Sequence, residues 1–191
     1  MIKGMHNIGT LTALKHLPGH GSAKGDTHIG FTDVTPVWNV REKDPFFRLC
    51  SKADSVMTAH IFNSTLDTTY PATLSRSTLE GFRAEANYNG VFISDDLHMG
   101  AIQKCFGFQE SVVQALNAGN DLLIFSNNKL AAPDVKSFTP SARLQDTVLR
   151  IIEEAIAAEK LSEKRFNEAA LRVLKMKERL NSLGQKQACS A

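Results

Sequence analysis

Residues 90–102 read GVFISDDLHMGAI. Gly90–Ser94 is a short, continuous apolar run, which reads as a buried strand, and two carboxylates, Asp95 and Asp96, close it. Three other runs repeat the pattern: Leu11–Leu17 (LTALKHL), Ser55–Ile61 (SVMTAHI) and Asp121–Ser126 (DLLIFS). Apolar runs that are continuous rather than alternating belong to parallel sheets covered on both faces. Between them lie segments with helical spacing. Pro45–Ala53 carries Phe46, Phe47 and Leu49. Ser75–Asn87 carries Leu79, Phe82 and Ala86 behind a Ser75 N-cap. Glu110–Ala118 ends at Gly119, as a left-handed cap would. Alternating strands and helices define βα units, and strand centres spaced by about 44, 34 and 31 residues fit that size with some long loops.

After the fourth run the pattern turns wholly helical. Thr139-Pro140 reads as a helix start, followed by Ser141 to about Lys160 with Leu144, Val148, Ile151, Ile152, Ala155 and Ile156 on one face. Ser162 caps a second helix whose apolar side carries Phe166, Ala170, Val173, Leu174 and Leu180. Residues 1–184 are expected to form one domain, and residues 185–191 a disordered tail. Four βα units with polar residues at the strand ends suggest a (β/α)8 barrel, but that fold needs about 200 residues at minimum. The expectation is therefore an α/β fold of four parallel βα units, half of a TIM-like (β/α)8 barrel, plus C-terminal helices.

Composition removes several function classes. The chain has 191 residues, a formal net charge of +2 and 42% hydrophobic residues. That is enough apolar content to build a core. The balanced charge, without a basic stripe, gives no case for nucleic acid. No apolar run reaches the roughly 18 residues that would indicate a membrane span, so no membrane partner is expected. The opening MIKGMHNIGT has no secretory pattern, and the expected location is cytoplasmic. Cys50, Cys105 and Cys189 are odd in number and far apart, which argues against a disulfide framework and a CxxC metal site.

The polar clusters fall at the C-terminal ends of the strands, where parallel α/β folds build their sites. Lys15-His16 ends the first, His60 the second, Asp95-Asp96 the third and Ser126-Asn127-Asn128 the fourth. An Asp-Asp pair there also serves as a helix cap, and because successive side chains alternate, only one of the two easily faces a site. His98 and Met99 follow. In the glycine-rich loop after the first strand, Asp26-Thr27-His28 allows a carboxylate to orient one imidazole nitrogen while the other meets substrate; a chance pair in a solvated loop looks the same. The glycines match neither phosphate-loop spacing. His16, His20, His28 and His60 lack helical ligand spacing, and no metal is expected.

Together KHLPGHGSAKGDTH (15–28), MTAHI (57–61), DTTYPATLS (67–75) and GVFISDDLHMGAI (90–102) resemble the family 3 glycoside hydrolases, specifically the bacterial β-N-acetylglucosaminidase (β-hexosaminidase) branch. The resemblance implies Asp95 as nucleophile, His28 as acid/base, Asp26 as the group orienting His28, and Lys15 and His16 as contacts to N-acetylglucosamine. His60 and Met99 join them as substrate-binding candidates. It implies a retaining reaction that removes terminal β-linked N-acetylglucosamine from a glycan or muropeptide, without a cofactor. Leu17 and Thr27 stand where the family has Phe and Ser. The family barrel continues well upstream of the KH motif, so the resemblance implies that residues 1–184 are a partial catalytic domain, the C-terminal half of the barrel, in a truncated form that self-associates or pairs with a missing N-terminal half. The alternatives are an inactive remnant or sugar-binding fragment, a phosphate-binding α/β protein, and a phosphorolytic variant of the enzyme.

Overall fold

The computed structural model describes residues 1–188 except 132, 134, 136 and 137. Its centre is a four-stranded parallel sheet. The strands are β1 (Ala13–Leu17), β3 (Ser55–Thr58), β5 (Val91–Asp96) and β6 (Leu122–Ile124), joined in the order β1-β3-β5-β6. All three junctions are parallel. These are the four apolar runs, three of them shortened, while β5 runs on past Ser94 to include both aspartates. Two short segments, β2 (Thr32–Asp33), which no apolar run marks, and β4 (Ile61–Phe62), which begins at the last residue of the second run, pair separately in parallel.

Helices cover one face. After α1 (Ile2–Asn7) and β1, α2 (Asp44–Leu49) starts one residue before Pro45. The third helix, α3 (Arg76–Ala86), has the expected N-cap, since Ser75 Oγ accepts from the Thr78 amide, and it closes on a left-handed Asn87. A short α4 (Gly100–Gln103) precedes α5 (Phe108–Ala118), which ends at Gly119 with φ +119°. Leu17, Phe46, Val56, Leu79, Phe82, Tyr88 and Phe92 form the main core between this layer and the sheet. Along β5 the pleat is plain: Phe92, Ser94 and Asp96 are buried on the helix side, whereas Ile93 and Asp95 keep partial exposure on the other.

The C-terminal helices depart from expectation in three places. First, α6 (Leu144–Ala157) begins beyond Pro140 and Ser141. The Asn127 side chain takes both the Ser141 amide (2.9 Å) and its carbonyl (2.9 Å), which holds Ser141 out of the helix. Second, Leu174 and Leu180 of α7 (Glu163–Ala188) are exposed, 54% and 41%, and Ala169 is the buried residue. Arginines at heptad spacing set that face. Arg165 and Arg172 reach Asp121, Arg179 reaches Asp54, and the leucines rotate outward. Third, α7 continues through Ala188 instead of fraying after Gly184; residues 189–191, including Cys189, lie outside the described residues. No helix of the described residues is long and apolar enough to cross a membrane.

Candidate active site

The strand ends and the glycine-rich loop enclose a cleft of about 920 Å³. Lys15, His16, Asp26, His28, Asp95 and Met99 all line it. Residues far apart in sequence thus converge on one rim because parallel strands end together.

The Asp-Asp pair divides its work. Asp95 lies on the less covered face, its side chain 20% exposed. Its Oδ1 accepts from the Asp96 amide (2.8 Å), while Oδ2 lies 3.7 Å from His16 Nε2. Asp96 points the other way: its Oδ1 accepts from the amides of His98 and Ser126, both at 3.0 Å. Asp95 faces the cleft, and Asp96 ties β5 to the chain beyond β6.

His16 is half-buried, and this burial lowers its pKa; Asp95 opposes the shift, and the neighbouring Lys15 and His20 add to it. Asp26 accepts at Oδ1 from both the main-chain amide and Nδ1 of His28, each at 2.9 Å. A carboxylate is acceptor-only, so Nδ1 carries the proton and Nε2 remains for another partner. These bonds, the backbone one first, push the Asp26 pKa below its usual value. Both side chains are more than half exposed.

His60 is not at the cleft. It is 1% exposed, with Nε2 2.9 Å from the Asp96 carbonyl and Nδ1 2.9 Å from Thr73 Oγ1. Burial pushes its pKa down. A neutral ring that donates from Nε2 to the carbonyl and accepts at Nδ1 from the Thr73 hydroxyl satisfies both contacts. Thr58 and Asn120 extend this buried network beneath the site. His98 is also buried, beside Phe108, Phe125 and Phe138, and its Nδ1 accepts from the Asn127 amide at 3.1 Å.

Sequence reasoning missed Glu42. Its carboxylate accepts from the Gly21 and Ser22 amides and, at 2.6 Å, from the Ser22 hydroxyl. Burial opposes its ionisation, but these bonds outweigh it and lower the pKa. The Gly21 and Ser22 amides are therefore committed to a protein carboxylate, which argues against a phosphate cradle there. Gly19, at φ +119°, packs directly on Glu42 Cβ, leaving no room for a side chain. Among the described residues, no group of three or more His, Cys, Asp or Glu side chains is placed to hold a metal ion.

The fold is a parallel α/β sheet with carboxylates and histidines gathered at its strand ends, a class of protein that builds its sites there, and comparison gives the family. The model of the glycosyl hydrolase family 3 N terminal domain matches residues 1–176, and the chain belongs to that family. The curated Beta-hexosaminidase of Tolumonas auensis is 38% identical over 137 residues, which cover 69% of this chain and 41% of that protein. Beta-hexosaminidase LpqI of Mycobacterium tuberculosis is 30% identical over 184 residues, 92% of this chain and 44% of that protein. The glycoside hydrolase family 3 β-N-acetylglucosaminidase of Paenibacillus sp. str. FPU-7 superposes with a TM-score of 0.81 at 31% identity, over 94% of this chain and 33% of that one. The chain spans less than half the length of these curated relatives.

Proposed function

We propose that this chain carries the catalytic groups of a retaining β-N-acetylhexosaminidase. In this reading Asp95 Oδ2 attacks the anomeric carbon of a terminal β-linked N-acetylglucosamine. His28 Nε2 gives its proton to the departing glycosidic oxygen, and a glycosyl-enzyme ester forms. His28 then takes a proton from water, which attacks the same carbon and releases the sugar and the Asp95 carboxylate. Asp26 holds the imidazole and stabilises its charged form. Lys15 and His16 hydrogen-bond the sugar, and Met99 packs beside it. The single observation that carries the reading is the shared cleft, which brings Asp95 together with an Asp26–His28 pair already hydrogen-bonded at 2.9 Å. The names of the relatives support the sugar and the linkage, with a glycan or muropeptide as substrate.

In this proposal the four βα units are one arc of a (β/α)8 barrel, and residues 1–184 a partial catalytic domain. Supporting this, β1 and β6 stand at the two edges of the sheet with one neighbour each among the described residues. Unpaired edges are where further strands add. His60 acts in this reading by holding the Asp96 carbonyl, not by touching sugar.

The test is turnover of a chromogenic β-N-acetylglucosaminide by the purified chain, with Asp95→Asn as background. Release above that background upholds the reading. A folded chain with no release above it overturns the reading for this chain.

A further inference from the structure

Asp26 and His28 are the most exposed of the proposed catalytic groups, so something must fix where they stand. Bonds inside the loop set its shape: the Ile29 and Gly30 amides both donate to the Asp26 carbonyl. These bonds do not attach the loop to the sheet. The attachment comes from the chain just beyond Asp95. The Gly100 amide donates to the His28 carbonyl (3.0 Å), and the Ala101 amide to the Thr27 carbonyl (3.0 Å). Thr27, between the two exposed partners, is only 5% exposed.

This approach is so close that it excludes a side chain. A Cβ at position 100 would lie 2.5 Å from the His28 carbonyl oxygen and 2.6 Å from that of Ile29. Both are backbone atoms, so no rotamer change relieves the overlap. Building on the glycosidase reading, we infer that Gly100 is a positioning residue. It is the seat on which the His28 loop docks, so the strand that aims the nucleophile also places the acid/base. The consequence is that any side chain at position 100 lifts the loop and separates His28 from Asp95 without altering either.

The experiment uses the full chain, Gly100→Ala, His28→Ala and the double variant. The first readout is amide hydrogen exchange, which needs no turnover. In the wild type the Gly100 and Ala101 amides are protected. In Gly100→Ala the Ala101 amide loses protection, while the Phe92 amide, bonded to Asp121 at 3.0 Å, keeps it. The second readout is kcat/KM on aryl β-N-acetylglucosaminides of graded leaving-group pKa. Gly100→Ala is expected to slow the poorest leaving group on the order of 100-fold, the scale of lost general-acid catalysis, and the best one little. In the His28→Ala background it slows none further, because a displaced loop without its imidazole has nothing left to lose.

Free exchange of the Gly100 and Ala101 amides in the wild type would overturn the docking even if Gly100→Ala failed to fold. So would equal slowing of all leaving groups, or losses that add in the double variant. Absence of wild-type turnover would count against the glycosidase reading alone, and the exchange pattern would still decide the docking.

Discussion

At Asp95 the Asp96 amide occupies one carboxylate oxygen, and the proposed mechanism uses the other. Asp95→Asn should therefore abolish turnover and leave the melting temperature near the wild-type value. Asp96→Ala should do the reverse in kind. It strands the amides of His98 and Ser126, each costing about 1–3 kcal/mol when buried and unpaired, so the melt should shift down measurably. A thermal melt beside a rate assay separates the two residues. The sequence pattern put Asp95 and Asp96 at a strand end, where the pleat lets only one of two neighbours face the cleft; the choice of Asp95 came from the family resemblance. Asp26 and His28 lie in a loop, and their roles were assigned by the family resemblance; Lys15 and His16 share the strand-end position. His60 ends its apolar run just as they do, yet its ring turns into the protein, and that depends on Thr73 and Asp96 lying beneath it. Glu42 gave no signal at all. It meets its partners across about 20 residues of chain, a closure that only the folded loop creates.

At the scale of elements, the strands were the most readable part, because two covered faces demand continuous apolar runs. Caps were equally readable where a side chain satisfies its own helix. Ser75→Ala should cost about 1 kcal/mol, read from a denaturant melt, since the Thr78 amide loses its acceptor. The helix face of α7 was misread for a physical reason. Hydrophobic periodicity counts leucines, whereas this helix faces the body with Arg165, Arg172 and Arg179, whose charges are matched by buried carboxylates. The start of α6 was misread because Asn127, outside the helix, claims Ser141. The pair β2 and β4 escaped notice because two-residue strands carry no periodicity.

For the whole molecule, acid sensitivity follows from histidines that the fold keeps neutral. Burial lowers the pKa of His16, His60 and His98 below the ordinary 6.5. The unfolded chain binds protons at these sites before the native state does. Their contribution is thus fully present above about pH 6.5 and is lost as pH falls toward the folded values. Unfolding midpoints measured from pH 8 down to pH 5 should fall first below about 6.5, and a flat profile would contradict this. The carboxylate of Asp121 bears on folding kinetics. It accepts from Arg83, Arg165, Arg172 and the Phe92 amide, and the two α7 arginines reach it across 44 and 51 residues of chain. Contacts that close such long loops form late, after the sheet that offers the carboxylate is assembled. The bond network at Asp121 then works as a brake on opening, and gives the nascent chain no help in finding its shape. Asp121→Asn should accelerate unfolding in stopped-flow denaturant jumps and leave the refolding rate nearly unchanged.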